Sequence, residues 1–223
     1  MVNLFQGKTT ILSRLLLTNN IFMDKAIEFI ELIRSVIPDY QNQLNRGCTI
    51  VEIADLENKL QKTLPKSYKE LLRFCNGEKE ITLLLGYFML PIDRVFGEFS
   101  FIKSGEDFYT DTQVTQANMI QPSLYSKDRI PFADDASGNF LCIDYDPAEG
   151  GKVGQIIYLP FGEPDPITVV ADNFDEFLEL LTNGIKTGTI TVEDNYDNDN
   201  IHLSMNNWTW YHGWSTTEAK FIG

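Results

Sequence analysis

Ile130-Pro131-Phe132-Ala133-Asp134-Asp135-Ala136-Ser137-Gly138-Asn139-Phe140-Leu141-Cys142-Ile143-Asp144-Tyr145 reads as an apolar run, a polar turn and a second apolar run. Gly138 and Asn139 tolerate the unusual backbone angles of a tight turn. Along the strand that follows, Leu141 and Ile143 point to one face, and Cys142 and Asp144 to the other. Gln155 to Leu159 is a further strand, reached through a turn-rich segment with Pro147, Gly150 and Gly151, so these two strands form a hairpin.

Helices precede this sheet. Apolar residues at 26, 27, 30, 33 and 37 make a helical stripe over Asp24 to Ile37, which Pro38 stops. Thr49-Ile50-Val51-Glu52 has the form of a capping box, with Ile53, Leu56 and Leu60 as the buried face. Pro65 suits the first position of the next helix. Tyr68, Leu71, Leu72 and Cys75 line one side of it, and Asn76-Gly77 closes it. Ile81 to Leu85 and Tyr87 to Leu90 read as strands, and Tyr109 to Ile120 as a candidate helix in an otherwise ambiguous stretch, 93–129. Asn173-Phe174-Asp175-Glu176 resembles a second capping box; it opens a helix with Phe177, Leu178 and Leu181 inward, ended by Asn183-Gly184. Thr189 to Val192 and Ile201 to Met205 alternate like strands, and all three tryptophans follow residue 200.

This order describes a single α+β domain: a central, mostly antiparallel β-sheet flanked by helices, with a C-terminal β extension. The expected boundaries are an N-terminal arm or upstream start over 1–22, the domain over 23–185, and a Trp-rich hairpin packed on it over 186–223.

The chain of 223 residues is 43% hydrophobic, a globular composition, and carries a formal net charge of −14. Such a surface repels nucleic acid and anionic membrane and attracts basic partners. Three widely spaced cysteines, with no Cys-x-x-Cys pair, point to reduced thiols and a cytoplasmic protein. No apolar run approaches bilayer length.

Catalytic readings find little support. Asp134, Asp135, Asp144, Asp146 and Glu149 are numerous enough for a divalent-cation site, but turn chemistry and a solvated loop account for them better, so no metal is expected. Glu193 to Asn200 lacks the glycine of a calcium loop, and Gly7-Lys8-Thr9 lacks the earlier glycine of a phosphate loop. The two histidines, His202 and His212, lie far from any cysteine in sequence. No catalytic residue and no cofactor are assigned.

Leu64-Pro65-x-x-Tyr68-x-x-Leu71-Leu72 ending at Asn76-Gly77, followed by Ile130-Pro131-Phe132-Ala133, Gly138-Asn139, Cys142-Ile143-Asp144 and Gly154-Gln155-Ile156-Ile157, resembles the SUKH superfamily over roughly Gly47 to Leu181. Its best known branch is the fungal cell-wall-assembly (glucan-synthesis) regulator family. The resemblance implies an α+β fold, and it implies binding rather than catalysis. Bacterial members are immunity proteins that neutralise toxins by direct contact, and fungal members are scaffolds in wall-integrity signalling. The expectation ranked first is a bacterial-type immunity protein that occludes a cognate, basic toxin such as a nuclease. A regulatory scaffold comes second, and a metal-dependent hydrolase last. Candidate partner contacts are the loop carboxylates Glu106, Asp107, Asp111, Asp134, Asp135 and Glu149, with Tyr109, Trp208 and Trp210 as aromatic anchors; the resemblance itself does not specify them.

Overall fold

The computed structural model describes residues 24–37, 40–79, 81–105, 112–162, 164–195 and 200–204. The expected arm 1–22, the candidate contacts Glu106, Asp107, Tyr109, Asp111, Trp208 and Trp210, and His212 all lie outside the described residues.

Four helices come first: α1 (Lys25–Val36), α2 (Tyr40–Gln43), α3 (Ile50–Leu60) and α4 (Lys66–Phe74). Asp24 caps α1 by accepting from the Ala26 N–H. Thr49 and Glu52 form the capping box of α3, each satisfying a backbone donor of the other's turn. Pro65 stands at the N-cap of α4, one position before its expected place. Two short strands follow, β1 (Ile81–Thr82) and β2 (Phe88–Met89), and then α5 (Ile92–Ser104). The chain continues through β3 (Arg129–Asp134), β4 (Asn139–Asp144), β5 (Gln155–Pro160), β6 (Thr168–Ala171), α6 (Phe174–Thr187), β7 (Thr191–Asn195) and β8 (Asn200–Ser204).

The main sheet has the order β2-β3-β4-β5-β6 and is antiparallel throughout. The β3–β4 register slips between Pro131 and Ala133, so the proline lies at an irregularity where a missing ladder donor costs little. A second sheet, β1-β8-β7, joins the C-terminal hairpin to β1 by a parallel pairing of Ile81 with Ile201. Leu203 and Ile190 from this region are buried in the main core.

Both faces of the main sheet are covered. Ile130, Phe132, Leu141, Ile143, Ile156, Tyr158 and Val170 belong to the large core shared with the helices. Phe140, Cys142, Ile157, Leu159 and Val169 form a second core with Ile102, Ile120 and Ile167. Tyr68, Phe132, Phe174 and Phe177 pack as one aromatic knot, with centroid separations of 5.1 Å for Tyr68–Phe174 and for Phe132–Phe174. The knot ties α4, β3 and α6 together, and such contacts add about 0.5–1.5 kcal/mol per pair beyond area burial.

Two expectations are corrected. The stretch 93–129 opens with helix α5, which runs through Gly97, and its described part after residue 112 is turn and irregular backbone instead of a helix. Asn183-Gly184 does not end α6, which continues to Thr187 and stops at left-handed Gly188. Gly184 is needed for packing: a β-carbon there would lie 2.5 Å from Ile190 Cδ1.

Glu78 organises the turn between the short strands. One carboxylate oxygen accepts from the Leu83 N–H at 3.0 Å and the other from the Met89 N–H at 2.5 Å. Desolvation outweighs these bonds and pushes its pKa up to about 8. The folded state therefore holds a proton that the unfolded state releases near its ordinary value of 4.5. Stability from this group is greatest at low pH and declines as pH climbs from that value towards 8. In E78Q one acceptor becomes a donor facing an N–H, at a cost of about 1–3 kcal/mol. Urea denaturation across this range is expected to show a downward slope in the parent, a shallower one in E78Q, and the largest gap between them at the acid end.

Candidate functional site

The carboxylates of the 130–149 stretch are mostly consumed by the fold. Asp134 is 5% exposed, and Arg94 from α5 donates to it at 2.6 Å. The expectation of an exposed loop carboxylate is corrected for this residue, because it ends a strand buried on both sides. Asp135 shapes the turn: it accepts from the N–H groups of Ser137 and Asn139 and from the Asn139 side chain. Asp146 accepts from the Ser126 hydroxyl. Glu149 is exposed and makes no ion pair among the described residues. Among those residues no group of three or more His, Cys, Asp or Glu side chains is placed to hold a metal ion.

Asp144 is fully buried against Arg129, which is fully buried too. Arg129 Nε lies 3.5 Å from Asp144 Oδ1. The guanidinium also donates to the backbone carbonyls of Ser123 and, at 2.9 Å, of Gln121. Gln155 donates to Asp144 at 3.0 Å and to the Met119 carbonyl at 3.0 Å. Burial raises the Asp144 pKa, and the Arg129 charge opposes the rise. This network fastens the irregular segment 119–123 across the second face of the sheet.

The cysteines offer no nucleophile. Burial pushes the Cys48 thiol up to about 11, and it raises the Cys75 and Cys142 thiols too. Thiols held this far above neutrality stay protonated and inert.

A groove of about 280 Å³ opens where α4 and α6 begin. Leu64, Pro65, Lys66 and Ser67 line one side, Asn173, Phe174 and Asp175 another, and Val153 and Gly154 from the β4–β5 turn a third. Val153 is 71% exposed there, an apolar side chain left to solvent. Tyr145 braces the entrance by donating to the Thr63 carbonyl at 2.6 Å. Composition gave no sign of this groove, since its three walls are far apart in sequence; the one local signal is a proline where an N-cap acceptor normally stands.

The geometry defines a small α+β domain whose buried polar groups serve the scaffold and whose open features are surface ones. The sequence profile of the SMI1 / KNR4 family (SUKH-1) matches residues 47–180, more than half of the chain, and the chain belongs to that family. It is 26% identical over 182 residues to the cell wall biosynthesis/cell cycle regulator smi1 of Schizosaccharomyces pombe, covering 72% of this chain and 35% of the relative. It is 25% identical over 202 residues to the cell wall assembly regulator SMI1 of Saccharomyces cerevisiae, covering 72% and 40%. The glucan synthesis regulatory protein of Neurospora crassa is 24% identical over 198 residues, covering 70% and 37%. The chain thus spans little more than a third of the length of these relatives.

The Arg129–Asp144 network has a measurable signature. Removing one partner of a buried charge pair leaves the other uncompensated, so R129M and D144L are each expected to cost about 3–5 kcal/mol, whereas the double variant recovers much of that loss. Denaturant midpoints of the four proteins close the cycle; additive losses would mean that the pair does not act as a unit.

Proposed function

We propose that this domain is a non-catalytic binding module that acts as a regulatory scaffold, of the kind the names of its fungal relatives describe. The observation that carries the reading is membership of the SMI1 / KNR4 family together with relatives named as regulators of wall assembly or glucan synthesis. The chemistry of the site supports it: of the carboxylates that invite a hydrolytic reading, Asp134 and Asp144 are paired with Arg94 and Arg129, and Asp135 builds a turn. No helix among the described residues is long and apolar enough to cross a membrane. A cytoplasmic setting, in which its free thiols stay reduced, is part of this proposal.

A second reading, neutralisation of a toxin, draws on the net charge of −14. Charge of that size steers encounter with a basic protein and raises association rates by factors on the order of 10 to 1,000 at low salt.

Deleting the gene in its own host separates the two. The scaffold reading expects growth defects under glucanase challenge, restored by the intact gene; a deletion strain as resistant as its parent would sink it. The toxin reading expects the purified chain to bind the product of the adjacent gene, with affinity that falls steeply as salt rises. Glu149→Lys is the clean charge-reversal probe for that contact, because Asp134 and Asp135 have structural duties. Unchanged affinity in Glu149→Lys would remove that residue from the interface.

A further inference from the structure

Helix α5 turns one face to solvent, and the residues on that face are unusual for it. Val95, Phe99 and Ile102 point into the two cores. On the opposite side, at three- and four-residue spacing, come Asp93, Gly97, Ser100 and Ser104, all exposed. Phe96 and Phe101 stand on either flank of this row, 36% and 47% exposed. Phe101 is held by Tyr125 and Phe161, with ring centroids 6.2 and 5.4 Å away, and Phe96 packs on Phe99 at 6.5 Å. The two rings are thus ordered ahead of any contact, which lowers the entropy cost of burying them.

Glycine weakens a helix interior. Gly184 has a reason within the fold, the approach of Ile190, but a β-carbon on Gly97 would meet nothing within 4 Å. The fold of one chain does not call for glycine there, whereas a second helix crossing closely at that point would. The serines are equally suited to burial. Ser100 donates to the Phe96 carbonyl and Ser104 to the Phe101 carbonyl, each at 2.7 Å, so covering this face strands neither hydroxyl.

The charges decide what covers the face. In a chain of net charge −14, α5 carries Asp93, Arg94, Glu98 and Lys103 and is neutral. Arg94 and Glu98 pair at 2.8 Å. Asp93 near the start and Lys103 near the end make no ion pair among the described residues, Lys103 lying over the Phe99 ring at 5.9 Å. One unpaired charge of each sign, at opposite ends of a face, is complementary to the same face turned end for end. A basic partner, favoured by the rest of the surface, finds no excess of acid here.

We propose that α5 is a self-association surface, pairing antiparallel with α5 of a second copy about a two-fold axis. One patch then serves both copies, and contacts run in opposite order along the two helices. With the axis between Glu98 and Phe99, Phe101 lies over Gly97 of the second copy, Phe96 beside its Ser100, and Asp93 reaches its Lys103. The three contacts share one centre, and each joins residues on the same flank. The pairing goes beyond the scaffold reading and does not depend on it. A single helix pair is small for an interface, so the dimer is weak and reversible, with a Kd of about 100 µM.

Sedimentation of the full chain up to about 1 mM tests this, at about 0.15 M salt, where charges more than about 8 Å apart are screened. A concentration-dependent dimer is expected. Gly97→Gln is expected to raise the thermal midpoint of the dilute chain, since a helical glycine is removed, and yet to weaken the dimer about tenfold or more by holding the backbones apart. Asp93→Lys and Lys103→Asp each set like charges face to face and are expected to stay monomeric alone. Mixed in equal amounts they pair, because each then meets its opposite, and the double variant pairs with itself. A chain monomeric at about 1 mM would overturn the proposal and leave the face to a different protein. A dimer that Gly97→Gln leaves intact, or single variants that fail to pair when mixed, would overturn it too.

Discussion

Burial of the central sheet on both faces is the constraint from which the rest follows. An antiparallel sheet commonly leaves one face in water, and polar residues on its strands then cost nothing. Here β3, β4 and β5 are buried along their whole length. Every polar side chain on them must find a partner inside the protein or destabilise it by its full desolvation. Asp134, Asn139, Asp144 and Gln155 do so, and Arg129 does so with its terminal nitrogens, while its Nε faces Asp144 without a hydrogen bond. Asn139 accepts from the Gly162 N–H, Asp134 takes Arg94, and Arg129, Asp144 and Gln155 satisfy one another together with carbonyls of the 119–123 segment. Beside Ile102 of α5, the second face is closed by irregular chain, and those carbonyls have no ladder to join. The buried guanidinium supplies the donors that a helix would have supplied internally.

That constraint also redirects the functional reading. Carboxylates clustered in sequence suggest a metal or an electrostatic docking face, yet their positions on doubly buried strands assign most of them to internal pairing. Glu149, on the β4–β5 turn, is the described candidate left with an exposed and unpaired charge. What remains available to a partner lies on helices and turns outside those strands. The net charge still governs long-range attraction, but it does not locate the contact.

Much of this was legible in the residues, and the reasons for success and failure differ by element. Thr49 with Glu52 and Asn173 with Glu176 announced helix starts, because capping is a local matter of side-chain reach. The alternation at 141–144 assigned the two faces of β4 correctly, since the strand period admits no other arrangement. Helix α5 was missed because Gly97 lowers helix propensity, whereas the faces that hold it, with Val95 and Phe99 in one core and Ile102 in the other, are tertiary. Gly184 was read as a stop for the same reason in reverse: glycine after asparagine is a common helix end, but here close approach of Ile190 demands it within the helix. The burial of Asp134 and Asp144 depended on a cover for the second face, and that cover has no periodicity to read.

The Leu64-Pro65-x-x-Tyr68 run joins scaffold and surface in a single turn of helix. Tyr68 sits in the aromatic knot at the centre of the domain, fully buried. Such a position fixes the rotation of α4 about its own axis, and with it the direction in which the first-turn donors point. A helix loosely held at this end would spread those donors over many orientations, and ordering them on binding would cost entropy. Because the knot holds Tyr68, the N–H groups of Lys66 and Ser67 are fixed in direction by the core. The proline ahead of them cannot turn back to cap them, as Thr49 and Asn173 do for their own helices. A residue that packs the core and a residue that withholds a cap, three positions apart, together leave this helix start with first-turn donors that no side chain caps.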